Sequence, residues 1–177
     1  MKIKKVMAFL LAAATVLCAA SCNDDDDEEG LDEIPKHEKT VTPADAVVGS
    51  YVDSLSYTVG AMSSGTIQND TLTISKVDGK DNLVNLHFSQ YMGMGGKSSS
   101  LNIYNVVVSG KDGKYTLSAS KDENAATKAK MTSSAYDVTK LEADVDVNGI
   151  GLTFDFVIAA MNATFSNEFK NGVKVDK

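Results

Sequence analysis

Leu141-Glu142-Ala143-Asp144-Val145-Asp146-Val147-Asn148-Gly149 is the stretch that decides the fold. Apolar and acidic residues alternate through it, so one side of an extended chain faces a core and the other faces water. Asn148-Gly149 predicts a hairpin turn. Beyond it Leu152, Phe154, Phe156 and Ile158 alternate with Thr153 and Asp155, which predicts an antiparallel partner. A further strand is expected from Ala163 through Phe165 to Phe169, with Asn171-Gly172 turning into a short tail strand over 173–175.

The same period extends toward the N-terminus. Tyr51, Leu55, Tyr57 and Val59 share one face of a first strand, opposite Val52, Ser54, Ser56 and Thr58. Residues 66–77 form a Thr-rich second strand ended by Asp78-Gly79, and residues 83–92 a third, with Val84, Leu86 and Phe88 alternating against Asn85, His87 and Ser89. A fourth, 101–109, is joined by a Lys111-Asp112-Gly113-Lys114 hairpin to 115–119. Eight or so antiparallel strands with short turns predict an all-β, up-and-down barrel, with a β-sandwich as the alternative. The expected core is Tyr51, Leu55, Leu72, Ile74, Leu86, Phe88, Ile103, Val145, Val147, Leu152, Phe154 and Phe156.

Three segments depart from this period. Thr42-Pro43-Ala44-Asp45 has the marks of a helix start, with a capping Thr, Pro at the first position and an early acid, and Gly49 ends it. It predicts one helical turn that plugs or leads into the barrel. Residues 91–100 form a Gly/Ser/Met loop. Residues 121–135 are polar and Ala-rich, with too few apolar positions to bury a helix face, and are expected to be a long loop or a surface helix.

The first thirty residues carry an address. Lys2, Lys4 and Lys5 precede an apolar run from Val6 to Leu17, and small residues lead to Cys22, the pattern of a cleaved secretory signal. The small-small-Cys ending resembles the bacterial lipobox, which implies a diacylglycerol on Cys22. The acidic run Asn23-Asp24-Asp25-Asp26-Asp27-Glu28-Glu29 resembles the export signal of Bacteroidetes surface lipoproteins. The expected organisation is a signal peptide over 1–21, a disordered acidic tether over 22–41 and a barrel domain over 42–177. The expected location is the outer membrane, lipid-anchored and facing the cell surface, with the periplasmic face as the alternative. Cys18 leaves with the signal, so no disulfide is expected within the mature chain, and the domain must stand on its core.

The chain has 17 Lys+Arg, all lysine, against 24 Asp+Glu, and a net charge of −7. Most of the excess acid lies in the tether, leaving the body almost neutral. Without arginine or a basic stripe, nucleic acid is not an expected partner, and bidentate clamps on phosphate or carboxylate are absent.

Val47-Val48-Gly49-Ser50-Tyr51, Thr71-Leu72-Thr73-Ile74-Ser75-Lys76-Val77, Asn82-Leu83-Val84-Asn85-Leu86 and Asn102-Ile103-Tyr104-Asn105-Val106-Val107-Val108 resemble the calycin-like β-barrel domain of Bacteroidetes lipoproteins. The resemblance covers residues 46–175 and rests on strand and turn signatures. It implies a lipocalin-related barrel with an interior suited to a ligand, and it carries no catalytic residues.

Chemistry in the body is sparse. His87 is its one histidine, on a polar strand face, so neither a Cys/His dyad nor a His-rich zinc site is available. Asp144 and Asp146 share a strand side with Glu142 and Asn148, as on a solvated face. Residues 78–82 lack the spacing and final Glu of a calcium loop. No cofactor, metal or enzymatic activity is expected. Asp53-Ser54-Leu55 and Asp70-Thr71-Leu72 match a short O-glycosylation pattern of Bacteroidetes, making Ser54 and Thr71 candidate sites. The sequons at Asn69 and Asn162 are expected to stay unmodified.

Two functional readings remain open. In the first, the barrel holds a small hydrophobic ligand, with Met92 and Met94 at its entrance. Methionine near a glycine-rich loop makes an adaptable apolar surface, and Met131 belongs to the same group. In the second, the interior is filled and the molecule is a structural, adhesion or accessory protein of the cell surface, acting by protein or glycan contacts.

Overall fold

The computed structural model describes residues 40–92 and 98–175. The segment expected to be the signal peptide, and nearly all of that expected to be the tether, lie outside the described residues. The chain enters the fold through α1 (Pro43–Val47). The Thr42 hydroxyl accepts from the Asp45 amide at 3.3 Å, and Asp45 Oδ2 accepts from the Thr42 amide at 3.2 Å, a reciprocal cap. A helix of one turn is unstable by itself, so packing must hold it. Ala44 and Val47 are fully buried, the Ala44 amide donates to Asp81 O at 3.0 Å, and the Tyr51 hydroxyl donates to Val47 O at 2.9 Å. The helix thus plugs one end of the barrel, as the capping pattern predicts.

Among the described residues nine strands follow: β1 (Gly49–Val59), β2 (Ser63–Lys76), β3 (Leu83–Met92), β4 (Ser98–Lys111), β5 (Lys114–Ala119), β6 (Lys128–Met131), β7 (Ser134–Asp146), β8 (Gly149–Ile158) and β9 (Ala163–Val175). All pairings are antiparallel. β9 pairs with β1, and β3 with β4, so the sheet closes on itself. The result is a closed eight-strand barrel with one extra strand. The extra strand arises because β5 and β6 share one position. β5 pairs with residues 106–111 of β4 and β6 with residues 101–104, and both pair with β7 on their other side.

Between them residues 120–127 leave the wall. The buried Thr127 hydroxyl anchors this excursion, donating to Asn105 O and accepting from the Ser120 amide, each at 2.7 Å. Residues 121–135 are therefore not one loop or helix, as their composition predicts. They hold a 3-10 turn at Glu123–Ala125, all of β6, and the start of β7. Alternating burial of Ala129 and Met131 makes β6 a wall strand despite two lysines in its four residues.

Eleven of the twelve expected core residues are buried; Val147 is 88% exposed. The turn comes one residue early: Asp146 pairs with Gly149, so Val147-Asn148 forms the connection. The Asp146 carboxylate accepts from the Asn148 amide at 2.7 Å, and this bond holds its pKa below the ordinary value. Gly149 begins β8 with φ +146°, and a Cβ there would run into the Gly172 carbonyl. Asn171-Gly172 is likewise not a turn. β9 runs unbroken through it with a bulge, where the Asn171 amide donates to Asp53 Oδ2 at 2.7 Å.

Candidate functional site

The interior is occupied by aromatic rings. Phe88 stacks on Phe154 with centroids 5.4 Å apart and meets Phe169 edge-on at 5.7 Å; Phe156 stacks on Phe165 at 5.1 Å. These five phenylalanines are at most 3% exposed. Alternation along β8 and β9 aims four of them inward from adjacent strands, and Phe88 meets Phe154 and Phe169 from β3, where ring pairing adds to area burial. One polar pair sits among them: the Tyr91 hydroxyl donates to Asn167 Oδ1 at 2.6 Å, and Asn167 Nδ2 donates to the Phe154 and Phe165 carbonyls, each at 3.2 Å. Burial pushes the Tyr91 phenol pKa well up, so the ring stays neutral as a donor. Asn167 was not legible as a core residue, because it stands in a polar run, Ser166-Asn167-Glu168.

Wall polarity runs opposite to that of a membrane-spanning barrel. Such barrels are apolar outside and polar within. Here the inward positions are mostly Leu, Ile, Val and Phe, and the outward ones on β7 and β8 include Glu142, Asp144, Thr153 and Asp155. Large apolar side chains exposed outside are scattered, among them Val48, Tyr104 and Val173.

The end of the barrel opposite α1 is built from four hairpins, β1–β2, β3–β4, β6–β7 and β8–β9, and each carries methionine. Met62 is 62% exposed, Met131 is buried at the end of β6, and Met161 packs partly buried against the core. Met92 is the last residue of β3, and Met94 lies outside the described residues. Sequence alone placed Met92, Met94 and Met131 together; the hairpin topology adds Met62 and Met161.

A shallow groove of ≈ 550 Å³ runs over the outside of β5, β7, β8 and β9, adjoined by one of ≈ 710 Å³ toward the β7–β8 turn. Two rows of paired residues build it: Thr116–Asp144–Gly151, and Ser118–Glu142–Thr153–Glu168. Gly151 has no side chain at an outward position, which opens the notch. The Asp144 side chain borders it, and Lys170 adds an ammonium to its lining. Hydroxyls and carboxylates side by side suit a ligand rich in hydroxyl donors, and they disfavour phosphate. Gly151 at an outward position of β8, between the buried Ile150 and Leu152, was the available signal.

Other candidate residues fall apart in space or in chemistry. Cys22 lies outside the described residues. Ser54 is half-buried and donates to Gln68 Oε1 at 2.9 Å; Thr71 is half-buried on the neighbouring strand. Asp53 and Asp70 are register partners, so the two Asp-Ser/Thr-Leu patterns lie side by side on β1 and β2. In the folded barrel Asp70 and Leu72 are fully buried, leaving Thr71 as the one member of its pattern turned outward. His87 Nδ1 lies 2.9 Å from Asn102 Oδ1 on the polar face. Among the described residues, no group of three or more His, Cys, Asp or Glu side chains is placed to hold a metal ion.

No protein-family model and no curated protein matches the chain. Among solved structures the fold is similar to that of a putative outer membrane protein from Bacteroides fragilis NCTC 9343. The TM-score is 0.51 and the sequence identity 19%, over 75% of this chain and 53% of that one. The chain thus spans about half the length of that protein. What the two share, at this identity, is the fold: an antiparallel barrel of eight wall positions.

Proposed function

We propose that this chain is a cell-envelope lipoprotein, anchored through a diacylglycerol on Cys22, whose calycin-like barrel is a non-catalytic binding body. It works from its outer face, by protein or glycan contacts, at the cell surface. The observation that carries this reading is the filled interior, where Phe88, Phe154, Phe156, Phe165 and Phe169 pack ring against ring at 5.1–6.5 Å. A ligand seated at the level of these rings would have to displace them. The polar exterior supports a body held by a lipid rather than by its own wall, and one acyl-bearing group with several chains suffices for stable anchoring.

Two measurements test it. Mass spectrometry of the membrane fraction should find the lipid mass on an N-terminal Cys22 peptide, and Cys22→Ala should release the protein from membranes. On a panel of glycans and extracellular proteins, a ligand of the groove should lose about tenfold or more in affinity on Asp144→Ala with Glu142→Ala. Binding that both substitutions leave intact refutes the groove as the contact.

A second reading is favoured by the methionines on all four hairpins of the end opposite α1. There a small hydrophobic ligand would seat at the rim, with Met92 and Met94 at the entrance. Native mass spectrometry separates the two: a co-purifying apolar molecule lost on substituting Met92 and Met94 supports the rim, and a bare protein mass supports the outer face.

A further inference from the structure

β2 is paired on both sides only over residues 72–74. Toward the hairpin end, its residues 63–67 pair with β1 alone, while β3 turns away and pairs with β4. The wall therefore forks, and among the described residues nothing pairs with the second edge of residues 63–69. Ser63, Ser64, Thr66, Gln68 and Asn69 are exposed.

The fork is built into the chain rather than frayed. Asp70, 0% exposed, stands at its base. Its Oδ1 accepts from the Gln90 amide and the Ser89 hydroxyl of β3, each at 2.9 Å, and from the Thr71 amide at 2.7 Å. The carboxylate thus takes the β3 donor that a further ladder step from β2 would have taken. Asn69, with φ +54°, adds a bulge against β1 that re-aims the strand above it. Ser63-Ser64-Gly65-Thr66-Ile67-Gln68-Asn69 contains no charge and no proline. Charge and proline are two of the devices with which proteins keep an open edge from pairing with another chain, and a third, a bulge, is confined here to the foot of the edge at Asn69.

We propose that this edge pairs antiparallel with the same edge of a second copy, about a two-fold axis at Thr66. The register is self-complementary. Thr66 faces Thr66 of the second copy, a favourable cross-strand pair, and Ser64 faces Gln68. Gly65, which lies against the Tyr57 ring, faces the larger Ile67. Self-pairing brings no like charges together, and main-chain hydrogen bonds supply the affinity. The interface is isologous and closes at two copies.

The test uses the full lipoprotein in mild detergent, by sedimentation velocity. The wild type should sediment as a dimer, and Thr66→Lys and Thr66→Glu, at an exposed position, should each raise the dissociation constant by about tenfold or more. An equimolar mixture of the two variants should recover the dimer. In the wild type, hydrogen exchange at residues 63–69 should slow as protein concentration rises, a readout that needs no variant. A monomer at every concentration overturns the proposal. So does a dimer that both charge variants leave unchanged, or an edge protected only when a foreign peptide is added.

Discussion

Tyr91 on β3 and Asn167 on β9 meet inside the barrel, hydroxyl to amide oxygen at 2.6 Å, although 76 residues separate them in the chain. It is a side-chain bond between strands that are not neighbours in the wall. Tyr91→Phe should leave Asn167 Oδ1 buried without its donor and cost about 1–3 kcal/mol of stability, measured by urea unfolding. Because burial raises the folded phenol pKa above its ordinary 10.0, the neutral ring's contribution is complete below pH 10 and is lost as pH rises further. Tyr91→Phe should therefore flatten the alkaline limb of the stability profile.

Phe154 is fully buried and touches Phe88 and Phe156 on either side. Phe154→Ala should cost about 3–5 kcal/mol by the same unfolding measurement. Val147→Ala, expected to matter on alternation alone, should change stability by less than about 0.5 kcal/mol, because the side chain is in water.

The helix plug should be held less firmly under acid. The hydrogen bonds from Thr42 and Lys76 hold the Asp45 carboxyl at about 2, below its ordinary 3.8. A depressed folded pKa contributes stability that is complete above the unfolded value and lost as pH falls through the folded one. Melting followed between pH 5 and pH 2, a window set by these two values, should show a decline that Asp45→Asn removes. A decline of the same size in the variant would show that other carboxylates cause it.

Asp70→Ala should strip the Gln90 amide and Ser89 hydroxyl of their shared acceptor and cost about 1–3 kcal/mol. Asp70→Asn keeps an oxygen at that place and should cost less. Hydrogen exchange at Gln90 reports the difference directly.

The wall was legible wherever apolar and polar residues alternate for six positions or more, as in β7 and β8, because a strand with one buried face must write its period into the chain. It was illegible where pairing is decided at a distance. β6 has four residues, two of them lysine, and becomes a strand only because β4 and β7 leave a place for it. Asn171-Gly172 has the composition of a turn, but Asp53 on another strand draws it into a bulge. The groove escaped for a related reason: its rows run across strands, and Thr116, Asp144 and Gly151 become neighbours only through register. Asp70 escaped because a burial that depends on donors from β3 leaves no trace in its own neighbourhood.

That β5 and β6 fill a single place in the wall has an engineering consequence. The circumference is set by eight positions, so residues 120–127 can be lengthened without moving any stave. Thr127 seals the wall behind the excursion, isolating whatever is spliced into its tip. For a flexible insert, each doubling of length adds only about 0.6 kcal/mol of closure entropy. A foreign epitope or a whole small domain grafted at Glu123–Ala125 would ride on the outside of the barrel, displayed on a scaffold whose register it cannot disturb.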